Sequence, residues 1–282
     1  MIRDAEIRRL AGAAGVEPRI VELDYALGWA LGGIARNEYL SGRLVFKGGT
    51  CLRKCYFPDY RFSEDLDFTA MEWFGWEDMG EAVTQAFSTA AELSGIDFAA
   101  QEPRMRIIEE EYGRETLRLT HYWRGPHTTA GSPPGIRLDI TRDEVLAFEP
   151  ASRKVFHPFS DAVSLAPLRI RCYALEEVMA EKLRAILGQR IFAVSRDLYD
   201  IFSLLDQVDE KRVLGGFPKK LDVRGLGPEG LGAGRLTGRR EEFRADWERN
   251  LVHLLPPGGE RGFDEVWDPV SDLVARVMAS LQ

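Results

Sequence analysis

Two aspartates one residue apart, Asp65 and Asp67, stand in the stretch RFSEDLDFT, alternating with Leu66 and Phe68. Residues i and i+2 of a strand project from the same face. A strand over Arg61 to Thr69 therefore points both carboxylates one way and Leu66 and Phe68 into a core, with Ser63 on the acidic face. Paired carboxylates repel, and keeping both ionised in a partly buried site needs a compensating charge. A divalent cation supplies it, and Mg²⁺ (or Mn²⁺) takes carboxylate oxygens together with substrate phosphates. A third acid, Asp139, lies in IRLDIT between Leu138 and Ile140. If its strand runs beside the first, Asp65, Asp67 and Asp139 can hold two metals roughly 4 Å apart, one activating an attacking hydroxyl and one neutralising a leaving pyrophosphate. Upstream, Gly48-Gly49-Thr50 ends the apolar strand Leu44-Val45-Phe46 and opens a short helix. Glycines let a backbone approach a phosphate closely, and a helix N-terminus offers oriented N–H donors. Lys47 and Arg53 flank this turn and could meet phosphate or solvent. Taken alone, an Asp-x-Asp pair is commonly a solvated strand edge and Gly-Gly-Thr an ordinary turn. Their order along the chain is the specific signal.

The elements that must position these residues can be read in outline. Glu17 to Asn37 predicts a helix, with Pro18 in its first turn and Ile20, Val21, Leu27, Leu31 and Ile34 at helical spacing. Glu77 to Leu93 reads as helix, Arg104 to Glu110 and Thr116 to Arg124 as strands joined at Tyr112-Gly113, and Ile136 to Thr141 as a strand. Beyond about residue 165 the pattern turns helical. Tyr173 to Leu187 carries a stripe of Leu175, Val178, Met179, Leu183 and Ile186, Leu198 to Leu205 is a second helix, and a last helix runs from about Pro269 to Leu281. Gly215 to Gly238 reads as a long flexible loop. The expected fold is α+β: a mixed sheet flanked by helices over residues 1–165, then a helical region over residues 166–282 with the Gly-rich loop at about 215–238.

The chain of 282 residues has 45 acids against 37 bases, a net charge of −8. This disfavours indiscriminate nucleic-acid binding, which needs a basic footprint, although Arg169, Arg171, Lys182, Arg184, Arg190 and Arg196 form a local basic group. No apolar run reaches the roughly 20 residues that span a bilayer, and the N-terminal stretch does not read as a secretory signal. Three cysteines suit a reducing cytoplasm. Cys51 and Cys55, four apart on a helix with no second Cys/His pair nearby, read as small packed residues rather than a zinc site.

The constellation resembles the nucleotidyltransferase superfamily of the DNA polymerase β type, and FKGGTCLRK, RFSEDLDFT, IRLDIT, LEEVMAEKLRAIL and SRDLYDIF together resemble the AbiEii-type toxins of abortive-infection and toxin–antitoxin systems. The resemblance covers roughly residues 20 to 205. It implies a minimal nucleotidyltransferase core, an NTP bound at Gly48, Gly49 and Thr50, and metals on Asp65, Asp67 and Asp139. Lys182, off the apolar stripe of its helix, is then a cation for the triphosphate, and Arg196 and Asp197 belong to the active site. Asp197 would orient Lys182 or Arg196, or hold the attacking hydroxyl; the plain reading is a helix cap, from either Ser195 or Asp197. Asp200 is left out. The implied acceptor is RNA, most plausibly the 3′ end of tRNA, on a surface formed by the helical half and its basic group. The implied outcome is growth arrest, restrained by a separate antitoxin protein. A protein or small-molecule acceptor, a non-catalytic nucleotide-binding module and a metal-dependent nuclease are the competing readings.

Overall fold

In the computed structural model, the residues described are 1–73, 75–110, 114–142, 144–165, 168–189, 192–222 and 231–281. The chain forms helices α1 (Asp4–Ala14), α2 (Pro18–Arg36) and α3 (Glu38–Ser41), then strand β1 (Leu44–Lys47) and the one-turn helix α4 (Gly48–Cys51). A π-helical turn, Leu52–Tyr56, follows, then β2 (Asp65–Ala70), α5 (Trp76–Ser94), β3 (Asp97–Glu110), β4 (Arg114–Arg124), β5 (Gly135–Thr141), β6 (Ala151–Lys154), α6 (Ala162–Leu165) and β7 (Arg169–Cys172). The remainder is helical: α7 (Leu175–Arg184) running into a π turn (Ala185–Gln189), α8 (Ser195–Leu204), α9 (Glu210–Asp222), α10 (Gly234–Thr237), α11 (Arg240–Asn250) and α12 (Phe263–Ser280). The fold is α+β. Two compact units result: Met1–Glu144 with Pro150–Cys172, and Val145–Glu149 with Tyr173–Gln282.

The first unit holds a seven-stranded mixed sheet in the order β3-β4-β5-β2-β1-β7-β6. β2 runs antiparallel to β1 and parallel to β5, and β7 lies parallel to β1 on its other side. Leu66 and Phe68 on β2, Leu138 and Ile140 on β5, and Phe46 on β1 are fully buried, so period-2 alternation decides which face packs. β2 begins at Asp65, four residues later than the sequence suggests, and Ser63 sits in the irregular segment before it. β6 and β7 were not expected. Each is four residues long, too short for alternation to stand out, although Ile170 and Cys172 do alternate inward between exposed Arg169 and Arg171.

In the second unit, Glu177 and Lys220 are both wholly buried and meet at 2.6 Å. Glu177 Oε2 also accepts the backbone N–H groups of Ala147 and Phe148, at 2.8 and 2.9 Å, and Lys220 Nζ donates to the Val145 carbonyl. This charged clamp is why residues 145–149 pack with the helices. The expected Gly215–Gly238 loop is corrected by α9, which carries Gly215 and Gly216 within it. Val213, Phe217 and Leu221 recur every four residues and are 1–2% exposed, so burial of that stripe outweighs the poor helix propensity of two glycines. Residues 223–230 of that stretch lie outside those described, and Gly234–Thr237 is the helical turn α10. The last helix starts at Phe263 rather than Pro269, because Phe263, Val266 and Trp267 already extend its buried stripe. No helix among the described residues is long and apolar enough to cross a membrane.

Candidate active site

Pairing register brings the predicted acids together. Asp67 lies directly across from Asp139 in the parallel pair of β2 and β5, and Asp65 across from Arg137. On the neighbouring strands Lys47 faces Asp67 and Arg118 faces Asp139. One face of four adjacent strands thus carries three carboxylates and three cations over an apolar opposite face. Arg118 grips Asp139 with two hydrogen bonds, Nε to Oδ1 at 2.8 Å and Nη2 to Oδ2 at 2.6 Å. Arg137 Nη2 donates to Asp65 Oδ2, and its Nε lies 3.8 Å from Asp139 Oδ2. The positive charge lying against these carboxylates comes from Arg118 and Arg137, which the sequence reading did not single out. Asp139 holds the Arg118 guanidinium above its ordinary pKa through the paired hydrogen bonds. Arg118 and Arg137 are 38% and 46% exposed, whereas Asp65 and Asp139 are 15% and 14% exposed, so the acids are built in and their counterions reach over from the rim.

The glycine turn is built around the same acids. Gly48 has φ +80°, a conformation L side chains rarely adopt, and a Cβ there would stand 2.4 Å from Asp67 Oδ2. Only glycine lets β1 turn so close to that carboxylate. At Gly49 a Cβ would stand 2.4 Å from the Arg61 guanidinium. Thr50 is 1% exposed and its hydroxyl donates to the Asp65 carbonyl at 2.5 Å. In this arrangement Thr50 ties the turn to β2.

Behind the turn, Arg53 is neither a phosphate ligand nor solvated. It is buried, its Nε 2.8 Å from Asp24 Oδ1 and its guanidinium stacked 3.6 Å over the Phe62 ring. Lys54 Nζ lies 2.7 Å from the other Asp24 oxygen. Burial acts to raise the Asp24 pKa, but the two adjacent cations outweigh it and bring the carboxyl down to about 2. The network fastens the π turn to α2. Ser63, 6% exposed, is buried rather than presented on an open face.

The second unit carries the other predicted residues. Lys182 Nζ lies 2.5 Å from Asp197 Oδ1 and 2.9 Å from Asp200 Oδ2, with both acids essentially buried. Asp197 thus holds Lys182 and does not cap α8. Asp200, set aside in the sequence reading as the weaker candidate although it shares a face of α8 with Asp197, does the same. Ser195 is not a cap either: its N–H and hydroxyl both donate to Asp246 Oδ2, each at 2.7 Å. Asp246, on α11, has no sequence neighbour that would have marked it. Arg196 is half-buried on the same helix.

The basic group expected to form one surface of the helical half does not. Arg169 and Arg171 are exposed on β7 in the first unit, and Arg184 is 1% exposed and donates to the Lys220 carbonyl. Arg190 lies outside the described residues. Charge spacing along the chain could not separate a buried helix arginine from solvated strand arginines.

Three carboxylates from two adjacent strands, an all-oxygen set beside a glycine turn, suit a hard divalent cation such as Mg²⁺ or Mn²⁺. The fold that positions them, a mixed sheet with helices on it, has a solved counterpart. The solved structure titled "Crystal structure of putative nucleotidyltransferase from H. pylori" matches it with a TM-score of 0.56 at 17% identity, covering 94% of this chain and 97% of that one. The family model described as "Nucleotidyl transferase AbiEii toxin, Type IV TA system" matches residues 29–269, and the chain belongs to that family of nucleotidyl-transfer toxins. No curated protein matches the sequence.

Proposed function

We propose that this protein transfers a nucleoside monophosphate from an NTP to the 3′ end of tRNA in the cytoplasm, halting translation and growth until a cognate antitoxin protein restrains it. The observation that carries the reading is the register of β2 against β5, which aligns Asp67 with Asp139 and sets Asp65 on the same face beside the Gly48 turn. In the reaction the acceptor 3′ oxygen bonds to the α-phosphorus, the bond to the β-phosphate breaks, and pyrophosphate leaves with the hydroxyl proton lost to solvent. Asp65, Asp67 and Asp139 would hold Mg²⁺ or Mn²⁺, which supplies Lewis acidity at the attacking hydroxyl and neutralises the leaving group. The Gly48-Gly49 backbone would take the triphosphate, with Thr50 keeping the turn in place. Lys182, positioned by Asp197, and Arg196 would neutralise phosphate charge as it develops.

The test is incubation of the protein and its Asp67→Ala variant with total tRNA, Mg²⁺ and each α-labelled NTP, resolved on a denaturing gel. Label on lengthened tRNA that Asp67→Ala loses supports the proposal and identifies the nucleotide. Label on protein, shortened RNA, or no label on tRNA sinks the tRNA assignment.

A further inference from the structure

The cysteines converge although Cys172 lies far along the chain from the other two. Cys51 ends α4, Cys55 lies one turn on in the π turn, and Cys172 ends β7 beside β1. Their sulfur atoms all lie within 4.8 Å of one another, and the residues are 0%, 3% and 0% exposed. Packing alone would gather three small residues but would not require their sulfurs to meet. A Zn–thiolate bond of about 2.3 Å places the sulfurs of a tetrahedral site roughly 3.8 Å apart, so this spacing needs little adjustment. Two oxygen atoms lie beside Cys172: its Sγ is 3.7 Å from Tyr56 Oη and 3.6 Å from the Ala151 carbonyl oxygen. Three thiolates with a divalent ion leave one negative charge. Arg153, whose guanidinium sits 4.6 Å over the Tyr56 ring, is placed to offset it.

We propose that Cys51, Cys55 and Cys172 form a structural site for one thiophilic divalent cation of the zinc class, completed by an oxygen donor. Such an ion fastens the helix leaving the glycine turn to β7, and so fixes the turn from beneath, apart from the acidic face. Burial of all three thiols means that it loads as the chain folds, displacing their protons.

The full chain is unfolded, stripped with chelator and refolded with or without one equivalent of Zn²⁺, and in parallel with Cd²⁺. The site requires one zinc retained per chain through gel filtration and a higher Tm than the stripped protein. It also requires a cadmium–thiolate charge-transfer band that Asp67→Ala keeps and Cys172→Ser loses. Should Cys172→Ser fail to fold, the wild-type band decides: the acids of β2 and β5 cannot produce it. Identical Tm with and without Zn²⁺, together with no thiolate band, overturns the proposal. So does a disulfide between any two of these cysteines in the native protein.

Discussion

Replacing Gly48 by alanine probes how tightly the turn is built against the acids. The residue sits at φ +80°, where an L side chain costs about 1–2 kcal/mol. The added Cβ would stand 2.4 Å from Asp67 Oδ2, whereas ordinary contact begins at 3.4 Å, so the carboxylate must retreat by about 1 Å. A displacement of that size costs on the order of 10²-fold in rate when the displaced group positions the reactants. Gly48→Ala is therefore expected to lose about 1–2 kcal/mol in urea unfolding, to bind Mn²⁺ more weakly by calorimetry, and to transfer nucleotide about 10²-fold more slowly. Gly215→Ala is the control. A Cβ there meets nothing within 4 Å inside α9, so it should be neutral or stabilise by about 0.5–1 kcal/mol. Wild-type stability and Mn²⁺ affinity in Gly48→Ala would refute the link between the turn and Asp67, whatever the acceptor proves to be.

Arg118→Ala removes a cation from Asp139 and is expected to tighten Mn²⁺ binding to the apo protein; unchanged or weaker binding would show that Arg118 does not compete for that carboxylate. Lys182→Met leaves Asp197 and Asp200 without the ammonium between them and should cost about 3–5 kcal/mol in urea unfolding. Adding Asp200→Asn should recover part of that stability without recovering transfer, and recovery of both would assign Lys182 a purely structural role. Burial holds the His121 imidazole down from 6.5 to about 4, stacked on Phe87 at 3.9 Å. The unfolded chain therefore takes up this proton first. The stability contribution is complete above about pH 6.5 and declines as pH falls toward 4, by roughly 2 kcal/mol between pH 6.5 and 5. Urea unfolding of His121→Leu at those two pH values should lack this loss, and an unchanged slope would exclude His121 as its source.

Short-range pattern reveals which residues share a face. The alternation of Asp65 and Asp67 with Leu66 and Phe68, the glycines ending an apolar strand, and the stripe on α7 are local, with spacing that backbone geometry converts directly into direction. Those features, with the motif order, are enough to read an α+β nucleotidyltransferase fold and the acids of one sheet face. Pairing is different in kind, because hydrogen-bonded register and side-chain partners join residues that no local period connects. Only the folded chain sets Asp67 opposite Asp139, hands the counterion role to Arg118 and Arg137, and puts Arg53, together with Lys54, on Asp24, where Arg53 meets no phosphate. It also decides that Arg184 is buried while Arg171 is exposed, and it carries Cys172 to the two cysteines of the glycine-turn helix. Each of these contacts depends on strand order and on which helix covers which face. Those arise from burying many side chains at once, and no single segment of the sequence encodes them.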